Sequence, residues 1–318
     1  MLTRADPGVA WLVDRGDPAV ARMARRDLLG EDVDRDGALA SPLVQALLHA
    51  PAAHAPDASP AHPYRKWSGS HWRLVSLVEL EVPEGHDDAV AMCEAVLDHW
   101  AGPRRRAQVP VVDGRARRCA SQEGNAVAAA CRLGLADDPR VRTLVEHLMS
   151  WQWPDGGWNC DVRPEASHSS FHETLPPLWG LAEYATRTGA RDARAAADRA
   201  AGLLLAHEVA FSTRTGEPIS PAFVEPHFPP YWHYDLLQAL VVLHRAGWGE
   251  DPRTDRARGV LAARRRPDGS WRAARRWWRP PGSSGSSVDV VDWSGVSPQM
   301  VTLNALRVGA GIPSGATD

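Results

Sequence analysis

The side chains best suited to chemistry are histidines that recur at one place in the helical pattern. His71, His172 and His233 each stand three residues before a leucine, near the start of a predicted helix. Carboxylates accompany two of them, because Glu173 follows His172 directly and Asp235 lies two residues after His233. We predict that these helix starts face one another around a central pocket. The predicted catalytic set is His172, Glu173, His233, Asp235 and Glu123.

Three interpretations of this set remain open. The side chains could bind a divalent metal, since neutral imidazole suits zinc or iron and a carboxylate could complete the coordination. They could instead form a metal-free acid–base set, in which burial and proximity separate the pKa values. They could also only cap buried helix N-termini.

Aromatic residues are expected on the wall of the same pocket. The chain has 14 Trp but only 4 Phe and 4 Tyr. An aromatic wall suits an isoprenoid, a cation or a sugar ring. The predicted substrate-binding residues are His71, Trp67, Trp72, Trp232 and Tyr231.

Helical segments separated by turn signals must position these residues. Alternation typical of strands is nearly absent. Long loops are predicted at 50–63, 101–118 and 211–229. Helices are predicted at 17–29, 41–49, 68–80, 87–100, 121–133, 138 to the turn at 154, 169–188, 190–209, 231–246, 252–264 and 297–308.

The helices alternate between two kinds. Segments such as LLQALVVLHRAG are apolar nearly all round, whereas RDARAAADRAAGLLLAHE has an Arg-rich face. A helix that is apolar all round is buried on every side, so the alternation predicts two concentric rings. The predicted fold is therefore all-α, an α/α toroid of about a dozen helices, in a single domain over 1–310 with a short flexible tail at 311–318. An open α-solenoid is the alternative.

A repeated turn supports this architecture. Residues 148–158 read LMSWQWPDGGW and residues 261–271 read LAARRRPDGSW, with Leu, Pro-Asp-Gly and Trp in register. Repeated units of this kind bury their apolar faces by stacking on one another. Trp158 and Trp271 are predicted to be structural and buried beneath their turns.

The first copy resembles the QW motif of squalene–hopene cyclases and protein prenyltransferase β subunits. It has Leu148, Gln152 and a Gly-x-Trp ending at Trp158, whereas the second copy has Arg265 where the motif has glutamine. The resemblance implies a toroid and an enzyme that acts on an isoprenoid or other apolar small molecule in a central cavity. The chain lacks the DxDD motif whose aspartate protonates the alkene in class II terpene cyclases.

The prenyltransferase resemblance also implies a metal. Those proteins bind zinc through an Asp, a Cys and a His that follows a Tyr, and Tyr231-Trp232-His233 is similar to the last of these. The implied ligands are His172, His233, Cys160 and Asp161, with zinc as the expected divalent metal.

Bulk properties narrow the function classes. A formal net charge of -3 argues against general nucleic-acid binding. The chain has no apolar run of about 18 residues and no signal-like N-terminus, and its 4 Cys form no CxxC pair, so we expect a cytoplasmic protein. Two other functions stay open: a carbohydrate-active hydrolase or lyase with Glu123 and Asp235 as paired carboxylates, and a non-catalytic toroid that binds a ligand or protein.

Overall fold

The computed structural model describes residues 2–50 and 62–309. The predicted tail at 311–318 and most of the predicted loop at 50–63 lie outside these ranges. The described part is mostly helical, which confirms the all-α prediction. Its α-helices are α1 Pro7–Arg15, α2 Pro18–Leu29, α3 Pro42–His49, α4 Ser70–Glu79, α5 Asp87–Trp100, α6 Pro103–Ala107, α7 Ser121–Arg132, α8 Pro139–Trp151, α9 Phe171–Thr188, α10 Arg191–Ala206, α11 Leu236–Arg245, α12 Asp255–Ala262 and α13 Val296–Arg307.

Short elements complete the described secondary structure. Single turns of 3-10 helix span Arg35–Ala40, Pro221–Val224 and Pro252–Thr254. A two-stranded antiparallel hairpin pairs β1 Val111–Val112 with β2 Arg115–Ala116. None of the helices in the described ranges is long and apolar enough to cross a membrane.

Several helices begin at a proline that follows a capping side chain. The carboxylates of Asp6, Asp17 and Asp138 accept hydrogen bonds from first-turn N–H groups of α1, α2 and α8, and Ser41 does the same for α3. The cap satisfies an N–H group that has no partner inside the helix, and the proline removes another. These local signals are why the sequence places most helix starts correctly.

The helices pack in a regular order along the chain. Helix α7 contacts α4 and α9, α11 contacts α9 and α13, and α13 contacts α1 and α2. Helices α5, α8, α10 and α12 pack against this first set, with α10 on α9 and α12 on α11. Helices α4, α7, α9, α11 and α13 are buried on nearly all sides, whereas α1, α10 and α12 bury one face.

The closest packing joins α7 to α9. A Cβ atom on Gly124 would lie 2.4 Å from backbone atoms of Pro176 and Pro177, and one on Gly180 would lie 2.5 Å from the carbonyl oxygen of Gly124. Both distances are too short for any side chain. The two glycines therefore allow α9, with its internal prolines, to lie against α7.

Three expectations from the sequence are corrected. Helix α1 is missing from the prediction, and the predicted loop at 101–118 contains α6 and the β hairpin. Helix α11 begins at Leu236 rather than at 231, because Asp235 is extended and its carboxylate caps the helix by accepting from the Gln238 N–H. Tyr231 and His233 therefore lie in the loop before α11.

The first Pro-Asp-Gly turn is closed by its tryptophan, as predicted. Trp158 is 1% exposed, and its indole N–H donates to the carbonyl of Leu148 at 2.9 Å. Its backbone N–H donates to the Thr174 hydroxyl, which joins the turn to α9. Gly156 adopts a φ of 100°, a conformation that favours glycine.

The second turn repeats these contacts. Trp271 is 1% exposed, and its indole N–H donates to Leu261 at 2.7 Å while its backbone N–H donates to the Thr302 hydroxyl of α13. The structure thus confirms that both tryptophans are buried beneath their turns. The repeated sequence therefore forms the same local structure in both places.

Candidate active site

A cavity lies between the buried helices. It is bounded by side chains of α4, α7, α9, α11 and α13 and by the loop at 227–231. Its wall is mainly apolar: Val75, Leu175, Pro176, Trp179, Phe228, Pro230, Leu237, Val241 and Val242. The polar lining groups are Glu79, Asn125, His227, Tyr231, Gln238, Arg245 and Asn304. An apolar wall with a few convergent polar groups is typical of a small-molecule site.

The enclosed part of this cavity is small. Its volume is about 40 Å³, whereas an engineered apolar cavity of about 150 Å³ holds benzene. Trp179, Val242 and Arg245 also line a second pocket of about 210 Å³, which reaches Arg132 and Glu183 near the C-terminal ends of α7 and α9. The cavity therefore adjoins a larger pocket. This pocket lies near the C-terminal ends of α7 and α9, whereas the sequence predicts the site at the N-terminal ends of the helices.

A buried ion pair stands between the two spaces. The guanidinium of Arg245 donates to both carboxylate oxygens of Glu79, at 2.6 and 3.2 Å. Burial opposes ionisation of this carboxyl, but the charge and hydrogen bonds of Arg245 outweigh it and hold the pKa of Glu79 below its usual value. Glu79 is therefore an anion that anchors Arg245.

At the other end, the cavity is bounded by His227, a residue that the sequence analysis did not select. Its Nδ1 lies 2.6 Å from Oδ2 of Asp235, and both side chains are buried. Its Nε2 lies 3.1 Å from the amide nitrogen of Gln238. The ring of His227 is thus held between Gln238 and Asp235, which also caps α11, although the contact between Nδ1 and Oδ2 lacks the angle of a hydrogen bond.

A second carboxyl lies behind the cavity wall. Asp289 accepts hydrogen bonds from the hydroxyl of Tyr231 and from the indole N–H of Trp293. Burial raises the pKa of Asp289 to about 6 and the pKa of Tyr231 well above its usual value. Because Tyr231 lines the cavity, this pair places exchangeable protons at its wall.

The raised pKa of Asp289 predicts a pH-dependent stability. The folded state holds this proton more tightly than the unfolded chain, so the stabilisation is fully present below about pH 3.8 and is lost as the pH rises through about 6. Relative to Asp289→Asn, the wild-type protein should lose about 3 kcal/mol of unfolding free energy across this window. Urea denaturation of both proteins at about pH 4 and about pH 7.5 measures it.

Asp292→Asn is the matched control, because Asp292 is exposed and its carboxylate accepts from Ser294. Because it retains Asp289, Asp292→Asn should lose about as much unfolding free energy across this window as the wild type does. Parallel pH dependence in the wild type and Asp289→Asn would contradict the raised pKa.

The predicted histidines His172 and His233 both contact Trp232, one edge-on and the other stacked. His172, in the first turn of α9, accepts the backbone N–H of Tyr234 at its Nδ1 and packs edge-on against Trp232. His233 is stacked between Trp232 and Trp277, with ring centroids 3.9 and 3.8 Å away. Burial lowers the pKa of His233 to about 2, so its ring is neutral. Neither ring is among the groups that line the central cavity.

The predicted aromatic wall exists as a packed cluster. Trp67 stacks on Tyr231 at 4.0 Å and meets Trp72 edge-on at 4.9 Å. His71 packs against Trp72, and burial lowers its pKa to about 3. Trp67 and Trp72 are almost fully buried whereas Trp232 is 37% exposed. Of the five residues predicted to bind substrate, Tyr231 lines the central cavity.

The predicted carboxylates of α7 and α9 lie near a pair of cysteines. Glu123 pairs with Arg118, and Glu173 accepts the Ser121 N–H at 3.0 Å. The thiol of Cys160 lies 3.8 Å from the other oxygen of Glu173. Cys119, which the sequence analysis did not select, belongs to the same cluster.

Asp161 points elsewhere. Its carboxylate accepts from the guanidinium of Arg163 at 2.5 Å. Among the described residues, the one group of three or more His, Cys, Asp or Glu side chains close enough to share a metal is Cys119, Cys160 and Glu173. The structure thus places Cys160 with partners other than His172, His233 and Asp161.

Comparisons with protein families, characterised proteins and solved structures find no match to this chain. The cavity and the side chains around it are therefore the basis for assigning a function.

Proposed function

We propose that the chain is an enzyme with an α/α toroid, similar to terpene cyclases and prenyltransferases, that acts on an apolar small molecule in the central cavity. The single observation that carries this proposal is the cavity itself. Five helices supply an apolar wall, and a few polar side chains converge on the enclosed space.

The contacts of the second turn support the toroid. At the first turn, a Cβ on Gly156 would lie 2.4 Å from a carbonyl of α10. At the second turn, a Cβ on Gly269 would lie 2.4 Å from the backbone nitrogen of Gly8 in α1. Helix α1 thus takes the place beside the last turn that α10 takes beside the first. This arrangement is expected when the last repeat packs on the first.

The substitution at the glutamine position fits the same picture. Gln152 donates to the carbonyls of Gly156 and of Ala196 in α10, at 2.7 and 2.9 Å. Arg265 donates instead to both oxygens of Asp6, the cap of α1, at 2.6 Å. Each side chain ties its turn to the next peripheral helix, and the longer Arg265 pairs with a charged partner.

The acid–base roles follow from the two pairs at the cavity wall. His227, oriented by Asp235, would act as a neutral general base once a substrate displaces the amide of Gln238. Tyr231 would donate its proton to the substrate as the protonated carboxyl of Asp289 donates to the Tyr231 oxygen, at the same end of the cavity. His227 and Tyr231 both lie in the loop before α11, so one short loop positions the two groups.

Binding of geraniol, an isoprenoid alcohol, tests the proposal. Its apolar chain is larger than the enclosed volume of about 40 Å³, so it should occupy the adjoining pocket of about 210 Å³ and reach the cavity from there, and calorimetry should give a negative heat-capacity change of binding. Val241→Phe fills the cavity and should weaken binding by at least about tenfold, or 1.4 kcal/mol. Val260→Phe, on the peripheral helix α12, is the matched control and should bind as the wild type does.

No binding by the wild type, or equal binding by Val241→Phe and the wild type, would overturn the proposed cavity function. Binding of maltotriose instead of geraniol would favour the carbohydrate-active alternative.

A further inference from the structure

Three metal-ligating side chains meet between α7 and α9. The thiols of Cys119 and Cys160 and a carboxylate oxygen of Glu173 all lie within 4.8 Å of one another. Cys119 stands just before α7, Cys160 follows the first Trp turn, and Glu173 lies in the first turn of α9. The three residues are distant in sequence, so the fold alone brings them together.

The spacing matches a tetrahedral zinc ion. With Zn–S distances of about 2.3 Å and Zn–O distances of about 2.1 Å, neighbouring ligand atoms lie about 3.5 to 3.8 Å apart. The thiol of Cys160 and the Oε1 atom of Glu173 are 3.8 Å apart. The ligand atoms therefore need no more than small side-chain adjustments to share an ion.

The backbone holds these ligands in place. The segments that carry Cys119 and Cys160 are joined by a hydrogen bond from the Arg118 N–H to the carbonyl of Asn159, at 3.1 Å. The second oxygen of Glu173 is fixed by the Ser121 N–H at 3.0 Å. A hydrogen bond to the non-ligating atom is how proteins orient carboxylate ligands around metals.

A second observation also points to a ligand. The Oε2 atom of Glu123 is buried without a hydrogen-bond partner, and Glu123 is 1% exposed. Its other oxygen pairs with Arg118, the neighbour of Cys119. Glu123 lies two residues after Ser121, whose N–H holds Glu173, so this unsatisfied buried oxygen lies at the same end of α7 as the cluster.

We propose that Cys119, Cys160 and Glu173 bind one Zn²⁺ and leave its fourth position open to water or substrate. Two thiolates favour zinc over magnesium or calcium, and three protein ligands with an open position are typical of catalytic rather than structural zinc sites. Glu173 lies less than one helical turn before Leu175 and Pro176, which line the cavity. The site is independent of the proposed cavity function, because it requires no apolar ligand.

Metal content tests the proposal directly. The full chain is purified under reducing conditions, stripped with a chelator, reloaded with Zn²⁺ and passed through a desalting column before elemental analysis. The wild type should retain about one zinc per chain, and Cys119→Ser and Cys160→Ser should each weaken zinc binding by at least about 100-fold. Loading with Co²⁺ should give thiolate-to-metal charge-transfer absorption that both variants lose.

Two control variants make the result specific. Cys131→Ala removes a thiol at the far end of α7, about 15 Å along the helix. Asp161→Asn removes the carboxylate next to Cys160 that pairs with Arg163. Both should keep wild-type zinc, and circular dichroism should show that every variant is folded.

Equal zinc retention by the wild type and the two serine variants would overturn the site. So would a Cys119–Cys160 disulfide that accounts for both thiols, with no zinc uptake after it is reduced. If the wild-type protein binds zinc but does not bind geraniol, the proposed cavity function is wrong and the proposed metal site is still supported.

Discussion

Trp158→Ala is expected to lower the free energy of unfolding by about 3–5 kcal/mol, the usual cost of deleting a fully buried tryptophan. Trp158 is 1% exposed and lies beneath its turn. The variant loses the indole N–H bond to Leu148, so a buried carbonyl at the end of α8 also loses its partner. Urea denaturation monitored by circular dichroism measures the change.

Trp232→Ala is the matched control, because Trp232 is 37% exposed and its loss should cost far less. Trp271→Ala should behave like Trp158→Ala, since its contacts are the same. An unchanged melting temperature in Trp158→Ala would refute the structural role of the repeated turn.

Asp235→Ala should lower the free energy of unfolding by about 2–5 kcal/mol, because it removes a helix cap and leaves buried donors without an acceptor. Asp235 is 0% exposed and accepts from the N–H groups of Gln238 and His227, at 2.9 and 3.0 Å. Its loss uncaps α11 and leaves Nδ1 of His227 without its carboxylate. Denaturant unfolding gives the stability, and geraniol calorimetry on the folded fraction gives the effect on the cavity.

Asp251→Ala provides the comparison. Asp251 also caps a helical turn, but its carboxylate pairs with the exposed Arg253, so only the capping loss of about 1 kcal/mol is expected. Similar losses in the two variants would mean that the contact between Asp235 and His227 contributes little to stability.

Much of the helical framework follows from local signals. Caps such as Asp17 and Ser41 and the prolines after them place the helix starts, because each satisfies or removes an N–H group in its own first turn. Helix α11 is the exception. Its apolar pattern extends back to 231, and the structure begins it at Leu236 because Asp235 bonds to the distant His227 as well as capping locally.

The candidate site is less accessible to sequence reasoning. His172, Glu173, Glu123 and Tyr231 were selected by their place at or near helix starts. Cys119 was not, because nothing near it in the sequence suggests that it lies beside Cys160. A thiol in a loop carries no periodic signal. If α7 and α9 had been predicted to pack together, Cys119 and Cys160 could have been placed near each other, because Cys119 precedes α7 and Cys160 precedes α9.

The roles of His227 and Asp289 also could not be predicted from the sequence. His227 lies in a proline-rich segment whose sequence predicts only a connecting loop. Asp289 and Asp292 are separated by two residues, which differs from the DxDD motif. Their roles arise from partners eight and 58 residues away, Asp235 and Tyr231. Burial then sets the protonation of Asp289, and burial is a property of the packed molecule.

The sequence by itself determined the helical class, the repeated turns and the burial of Trp158 and Trp271, because helix caps, apolar periodicity and tight turns depend on neighbouring residues. Tertiary structure alone decided which polar groups meet. It placed His227 against Asp235, Tyr231 against Asp289, and Cys119 beside Cys160 and Glu173. The contacts of Tyr231 with Asp289 and of Cys119 with Cys160 join segments far apart in the chain, and the contact of His227 with Asp235 depends on how a loop folds back on a helix start, so no local propensity encodes them.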